Sequence, residues 1–283
     1  MTAPGFALVP VMDHEIHVTE WGDPANPAVM LWHGLARTGR DFDELAAALA
    51  DRYFVLCPDM IGRGLSSWSE DPEREYSLEY FSGIAADIMD HYGLGPVGWI
   101  GTSMGGLIGM RIASGPMADR LAWLIINDIG PAIPPDAIDR ILTYAGVSVA
   151  FDTLNEAESW FRSVYAPFGP ASDKFWRRMV RTSVRRTGDG RFTTHYDPKV
   201  VMQFSASTTE LTSWDRFRRI ATPLHVIAGA QSDILTGGIL ERMRAAQPGM
   251  NVTMFDDCGH APSLSRPEDI NQVRRIIVDL MAG

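Results

Sequence analysis

The chain has 283 residues, of which 46% are hydrophobic and 21% charged, and its formal net charge is -10. This composition is typical of a globular enzyme with a full core. The acidic balance disfavours nucleic acid and anionic lipid as partners, since both carry negative charge.

The first residues, the apolar runs and the cysteines of the sequence indicate which cellular compartment to expect. The first residues lack the cationic and apolar regions of a signal peptide, and no apolar run approaches the roughly 20 residues of a membrane helix. The only cysteines, Cys57 and Cys258, are too few to make a disulfide framework. We expect a cytoplasmic protein that acts on a small molecule, with its oligomeric state open and a homodimer as one option.

Strand-like and helix-like segments alternate along the first part of the chain. Ser77 is suited to cap the second helix, and Gly93 is suited to end it. In chain order, hydrophobic periodicity predicts strand 14–21, strand 28–32, helix 41–50, strand 53–57, helix 77–92, strand 97–101, helix 104–113 and strand 121–127.

The alternation breaks after residue 130 and resumes after residue 214. The block 131–214 has a helical pattern with several turn signals, and it is followed by strand 223–228, helix 239–246, strand 251–255 and helix 267–281. Repeated alternation predicts an α/β fold with a mostly parallel, doubly wound sheet. We predict a core domain made of 1–130 and 215–283, and a helical cap made of 131–214 over the carboxyl ends of the strands.

The segment Gly101-Thr102-Ser103-Met104-Gly105 joins a predicted strand to a predicted helix. A sharp turn in that context exposes a serine hydroxyl at the edge of the sheet, and small residues on either side relieve crowding. The start of the helix adds positive potential where negative charge develops in a reaction. Ser103 is therefore the predicted nucleophile, although the same glycines would also suit a simple packing turn.

The turn after strand 28–32 is the expected source of a second feature, an oxyanion hole. In this layout it donates a backbone N–H toward the reacting carbonyl, and the residue after the nucleophile donates another. We predict Leu35 and Met104 as these donors. His33 is expected to have a structural role within the loop.

Among the seven histidines, His260 has the best position for a general base. It lies in a glycine-containing loop beyond the last strand, and its imidazole can take the serine proton and return it to a leaving group. The acid that orients this imidazole is predicted to be Asp233, in the loop after strand 223–228. Asp128, just past strand 121–127, is the alternative, and capping of the following turn would also explain it.

Five motifs together resemble the α/β-hydrolase superfamily over nearly the whole chain except the insertion. They are, in order, His33-Gly34, Asp59 to Ser66, Gly101 to Gly106, Gly229 to Asp233 and Gly259-His260. The resemblance is to the capped esterase, lactonase and carbon–carbon hydrolase branch, and it implies that Asp59 to Ser66 is a structural turn. A serine at 103 separates the chain from the dehalogenase and epoxide-hydrolase branches, whose nucleophile is a carboxylate.

The resemblance implies an ester hydrolase that works through an acyl-enzyme. Alternatives with the same three side chains are a lactonase, an acyltransferase, a carbon–carbon bond hydrolase and a receptor with negligible turnover. We predict neither a metal nor a cofactor: His14 and His17 do not have the spacing of a zinc helix, and no phosphate-binding loop is present.

The predicted cap is expected to select the substrate. An aromatic-rich cap favours a small to medium, largely apolar substrate. A helix from residue 173 to about 186 separates an apolar side from an arginine-rich side, which is typical of a surface helix. Arg37 is expected either to contact a substrate carboxylate or to form a salt bridge within its loop. The cap aromatics are Tyr144, Phe151, Trp160, Phe161, Tyr165, Phe168, Phe175, Trp176, Phe192 and Tyr196.

Overall fold

An eight-stranded sheet lies at the centre of the computed structural model, which describes residues 3–206 and 212–282. Its strands are β1 (Gly5–Val11), β2 (His14–Trp21), β3 (Ala28–Trp32), β4 (Phe54–Pro58), β5 (Val97–Thr102), β6 (Leu121–Asn127), β10 (Leu224–Gly229) and β11 (Asn251–Phe255). Their spatial order is β1-β2-β4-β3-β5-β6-β10-β11. Within this sheet the β1/β2 and β2/β4 pairs are antiparallel and the other described pairs are parallel. The mostly parallel sheet confirms the predicted fold class.

Helices cover both faces of this sheet. One face packs against α3, α4 and α10, and the other packs against α1 and α11. The helices of this part of the chain are α1 (Asp43–Leu49), α2 (Pro72–Glu75), α3 (Leu78–His91), α4 (Met104–Ala113), α9 (Trp214–Arg218), α10 (Gly237–Ala246) and α11 (Pro267–Ala282). The sheet is therefore doubly wound, as predicted.

Local sequence explains where these elements begin and end. β4 is buried at every position, as expected for a continuous apolar strand covered on both sides. The Ser77 hydroxyl accepts a hydrogen bond from the Tyr80 N–H and caps α3, and Gly93 follows the helix with a φ of 61°. Both end signals of α3 are thus confirmed.

The segment between β6 and α9 contains helices and a small antiparallel sheet. Its elements are α5 (Pro135–Ala145), β7 (Ala150–Phe151), α6 (Leu154–Val164), α7 (Asp173–Ser183), β8 (Val184–Arg186), β9 (Phe192–Thr194) and α8 (Gln203–Ala206). A cluster of aromatic and aliphatic side chains, including Phe161 and Trp176, packs inside it. The division into core and cap domains stays a prediction.

The helical pattern predicted for 131–214 is wrong at the three short strands β7, β8 and β9, and the helix predicted from residue 173 to about 186 ends at Ser183, before residues 184–186. They form a strand because β8 pairs with β9, where Val184 lies opposite Thr194 and β-branched side chains favour extended backbone. The apolar side predicted for the preceding helix, with Phe175 and Met179, is buried as expected.

None of the helices in the described part of the chain is both apolar and long enough to span a bilayer.

Candidate active site

Ser103 occupies a sharp turn between β5 and α4. Its φ of 53° and ψ of -114° lie outside the regions that non-glycine residues favour. The turn is crowded, since a methyl group added at Gly101 would lie 2.1 Å from the Gly105 carbonyl oxygen, and one added at Gly105 would lie 2.2 Å from the Trp32 carbonyl oxygen. The two glycines are therefore required by close backbone contacts, as the motif predicts.

The Ser103 hydroxyl meets the imidazole of His260. Ser103 Oγ lies 2.9 Å from His260 Nε2, and His260 Nδ1 lies 2.8 Å from Asp128 Oδ2. An ionised Asp128 accepts from Nδ1–H, which leaves Nε2 of the neutral ring to accept the hydroxyl proton. The chain of contacts can therefore move a proton from Ser103 to His260 while Asp128 orients the ring.

The structure corrects the predicted identity of the acid. Asp233 does not contact His260; its carboxylate accepts hydrogen bonds from Arg140 at 2.5 and 3.0 Å, and its side chain is 47% exposed. Asp128, the alternative, is fully buried. The reason is topological: Asp128 directly follows β6, which lies between β5 and β10, whereas Asp233 lies four residues beyond β10 and turns toward α5.

The Asp128 carboxylate is fixed by two further donors. Oδ1 accepts from the Gly229 N–H at 2.8 Å, and Oδ2 accepts from the Ser232 hydroxyl at 2.6 Å as well as from His260. Thus the Gly229 to Asp233 motif contributes to the site through Gly229 and Ser232, and not through its aspartate. Charge-assisted hydrogen bonds of this kind stabilise a buried carboxylate and hold its orientation.

Asn127 is a site residue that the sequence analysis missed. Its buried amide Nδ2 donates to Thr102 Oγ1 and to the Pro262 carbonyl, both at 2.9 Å. It thereby joins the strand before Ser103 to the loop after His260. One feature of the sequence could have indicated this role. Asn127 ends strand β6, which lies beside β5, the strand that precedes Ser103.

The loop after β3 passes beside the nucleophile. A methyl group added at Gly34 would lie 3.6 Å from Ser103 Cβ, and Leu35 lines the same cavity as Ser103. Met104, the other predicted donor, is the first residue of α4. Both backbone positions therefore adjoin Ser103, and their function as an oxyanion hole stays a prediction.

His33 holds this loop in place, as expected. Met60 N–H donates to His33 Nε2 at 2.9 Å, and His33 Nδ1 donates to the Gly34 carbonyl at 2.7 Å. Complete burial lowers the pKa of His33 to about 4, although the hydrogen bond to Gly34 opposes that shift. The ring is therefore neutral at pH 7, as its two hydrogen bonds require.

The turn from Asp59 to Ser66 packs against the loop after β3 and holds it through hydrogen bonds. Asp59 accepts from the Gly39 N–H at 2.7 Å and the Leu65 N–H at 3.1 Å, in agreement with the structural interpretation of this motif. Its buried Arg63 donates from Nε to the Leu35 carbonyl at 2.9 Å, a contact that the sequence analysis did not find. Burial lowers the pKa of Arg63 to about 10.

Ser103 and His260 open into a small cavity of about 60 Å³. That volume holds a few water molecules, and thus a short substrate group. Core and insertion both contribute to its wall. The largely apolar or aromatic lining includes Leu35, Phe42, Ile141, Tyr144, Val164, Tyr165 and Phe168.

Comparisons with known proteins identify the family of this chain. Residues 29–273 match the model of the alpha/beta hydrolase family. The chain belongs to the α/β hydrolase family. The family assignment and the fold agree with the resemblance inferred from the five motifs.

Two relatives of this α/β hydrolase are named as a hydrolase and an esterase. The chain is 38% identical to a 3-hydroxybutyrate-oligomer hydrolase of Cupriavidus necator, over 91% of this chain and 90% of the relative. It is 26% identical to an esterase of Mycobacterium tuberculosis, over 93% of this chain and 86% of that protein. It is therefore an enzyme of the hydrolase class.

Among solved structures, an alpha/beta hydrolase from Novosphingobium aromaticivorans is similar to this α/β hydrolase. The two share 32% identity with a TM-score of 0.87, and the match covers 98% of this chain and 99% of the other. The similarity includes the insertion as well as the core, because nearly the whole of each chain is covered.

Proposed function

We propose that this α/β hydrolase cleaves carboxylic esters through an acyl-enzyme on Ser103. The observation that supports the proposal is the continuous contact from the Ser103 hydroxyl through His260 to the buried Asp128 carboxylate, at 2.9 and 2.8 Å. No other function proposed for the sequence is favoured by a separate observation.

In the proposed acylation, Ser103 Oγ attacks the ester carbonyl as its proton passes to His260 Nε2. The backbone N–H groups of Leu35 and Met104 donate to the oxyanion of the tetrahedral intermediate. Each such donor typically contributes about 3 kcal/mol to transition-state stabilisation. His260 then protonates the departing alkoxide, and the acyl group stays on Ser103.

In the proposed deacylation, water replaces the alcohol. His260 takes a proton from the water as its oxygen attacks the acyl carbonyl, and the carbon–oxygen bond to Ser103 breaks. The proton returns from His260 to Ser103 Oγ, so that a carboxylic acid leaves and the enzyme is restored. Asp128 stays ionised throughout and stabilises the imidazolium.

The proposed substrates are small to medium esters. Support comes from the small, largely apolar cavity and from the relative in Cupriavidus necator, which is named for the hydrolysis of 3-hydroxybutyrate oligomers. We include short oligomers of hydroxy acids in the proposed substrate range. These molecules contain one or more esters of a short acyl unit, which suits the volume of the cavity.

The first experiment combines substrate screening with a nucleophile variant. Wild type is assayed on p-nitrophenyl esters of graded acyl length and on the dimer and trimer of 3-hydroxybutyrate, beside Ser103→Ala and the control Ser114→Ala. Ser114 follows the end of α4, outside the cavity lining, and has its own hydrogen bond to Arg111. We expect kcat/KM of Ser103→Ala to fall by about 10³-fold or more, with Ser114→Ala near wild type.

A fluorophosphonate probe gives an independent test of the nucleophile. It is expected to add one phosphonyl group to wild type and to Ser114→Ala, and none to Ser103→Ala. Full ester hydrolysis by Ser103→Ala would overturn the proposal. Turnover of ring-cleavage diketone acids without turnover of esters would instead indicate a carbon–carbon bond hydrolase. Transfer of the acyl group from Ser103 to an added alcohol would indicate an acyltransferase. A single burst without steady turnover would indicate a receptor.

A further inference from the structure

Arg37 is a buried cation in the wall of the active-site cavity. Its side chain is 5% exposed, and its Nε and Nη2 donate to the two oxygens of Asp41 at 2.7 and 2.6 Å. Nη2 also donates to the Ser183 hydroxyl at 3.0 Å. The Nε and Nη2 donors of Arg37 are therefore satisfied, and the salt bridge within the loop, one of the two roles expected for Arg37, is present.

The remaining nitrogen of Arg37 is unsatisfied. Nη1 is buried and has no hydrogen-bond partner among residues 3–206 and 212–282. A buried unpaired N–H of a cation is unfavourable, because it has lost water without gaining an acceptor. Such a group requires an explanation, and an acceptor supplied by water, an ion or a ligand is one.

The surroundings of Arg37 keep it charged and in place. Burial opposes the charged form, but the Asp41 carboxylate outweighs it and raises the pKa of Arg37 above its ordinary value. The guanidinium carbon also lies 4.6 Å from the centre of the Tyr165 ring and 5.5 Å from that of Phe161. These contacts orient the guanidinium, and the nearby Tyr165 hydroxyl also helps to raise the pKa of Arg37.

Arg37 shares the cavity with Ser103 and His260. We propose that Arg37 Nη1 binds an oxygen of the substrate that lies outside the ester being cleaved. The inference rests on the proposed ester hydrolysis and narrows its substrate class to esters with a second oxygen function, such as a carboxylate or another ester carbonyl. A carboxylate forms the stronger, charge-assisted hydrogen bond.

Arg140 is the other arginine in this cavity wall, and it is less suited to the same role. Its guanidinium is held by Asp233 and its side chain is 36% exposed, so water competes for its donors. Arg37 is therefore the cation whose hydrogen bond to a substrate is least screened. We assign it as a specificity-determining residue.

The test uses substrates that differ only in the oxygens at one end. The p-nitrophenyl hemiesters of glutarate and adipate carry a terminal carboxylate, and the matched 5-methylhexanoate and 6-methylheptanoate esters carry an isopropyl group of similar size. Methyl-capped hemiesters keep a carbonyl oxygen without the charge. Spontaneous hydrolysis is subtracted, and kcat and KM are measured separately.

Wild type is expected to prefer at least one oxygenated ester over its branched alkyl partner by about 10-fold or more in kcat/KM. Arg37→Met should lose about 10- to 100-fold on that ester, mainly through KM, and change less than about 3-fold on the alkyl partner. Arg40→Met is the matched control, because Arg40 makes the same two-bond pair with Asp43 at 2.8 and 2.6 Å and does not line this cavity.

A second variant covers the case in which Arg37→Met does not fold. Arg37→Lys keeps a cation beside Asp41 but lacks the Nη1 donors, so it should also lose the preference. The inference is overturned if wild type shows no preference, or if the folded variant lowers both substrates equally or neither. If none of the esters is hydrolysed in a way that depends on Ser103, the proposed ester hydrolysis itself is contradicted, and not only the role of Arg37. If wild type prefers the methyl-capped hemiester, the group that Arg37 binds is a carbonyl. If it prefers the free acid, that group is a carboxylate.

Discussion

The carboxylate of Asp128 lies 2.8 Å from Nδ1 of His260, although 132 residues separate the two along the chain. Three donors converge on this carboxylate: the His260 ring, the Ser232 hydroxyl and the Gly229 N–H. Full burial removes water as a competitor. The orientation of the imidazole is therefore set by a group that is itself fixed.

This relationship predicts different effects for two conservative variants. Asp128→Asn should lower kcat/KM on p-nitrophenyl butyrate by about 10³- to 10⁴-fold, because an amide favours the wrong tautomer of the ring. Asp233→Asn should stay within about threefold of wild type, because an exposed ion pair contributes little. Similar losses in the two variants, or a larger loss in Asp233→Asn, would contradict the assignment of Asp128.

The sequence was sufficient to predict that the side chains of Ser103 and His260 meet, but not which carboxylate lies beside the His260 ring. A glycine-flanked serine between strand and helix has few structural alternatives, and the last loop contains one histidine. The choice of acid depended on which of two neighbouring strand ends brings a carboxylate to the ring. That is decided by the fold of the loop after β10, where Ser232 contacts Asp128 and Asp233 contacts Arg140.

The insertion was predicted less completely for a similar reason. Its amphipathic helices have apolar residues at helical spacing, a local pattern. The sequence therefore predicted α7 and its buried side. Strand β8 depends on pairing with β9 across a turn, which local periodicity does not encode. The role of Arg37 depended on Asp41, Ser183 and Tyr165 meeting around it, two of which are more than 100 residues away.

Asn127 offers a test of how the two halves of the site are joined. Asn127→Ala removes both donors to Thr102 and Pro262, so kcat/KM should fall by about 10-fold and the free energy of unfolding by about 1–3 kcal/mol. Asn155→Ala, on the exposed side of α6, is the control and should change neither. Activity assays and urea unfolding provide the two measurements; an unaltered kcat/KM would exclude a positioning role.

The close contact between α4 and β3 predicts that Gly105 cannot be replaced. In Gly105→Ala the new methyl group would lie 2.2 Å from the backbone oxygen of Trp32, so the helix must move and stability should fall by about 3 kcal/mol or more. Gly95→Ala places a methyl group where no atom lies within 4 Å, and should change stability by less than about 1 kcal/mol. Equal urea midpoints for the two variants would show that the contact is easily relaxed.

The buried neutral ring of His33 predicts a loss of stability in acid. Burial lowers its pKa from 6.5 to about 4, so between these values the unfolded chain binds a proton that the folded chain does not. Stability therefore rises with pH across this window and falls as the pH decreases from about 6.5 to about 4. One such proton contributes a slope of up to about 1.4 kcal/mol per pH unit.

Comparison with a variant isolates this contribution from that of other groups, such as His225, whose pKa burial also lowers to about 4. His33→Gln keeps an amide oxygen that can accept from the Met60 N–H but has no titrating ring. Urea unfolding at pH 7, 6, 5 and 4.5 should give a shallower fall in stability for the variant, by up to about 1.4 kcal/mol per pH unit near pH 5. Parallel pH profiles would mean that His33 takes up no proton on unfolding, and that its ring is charged or equally protonated in both states.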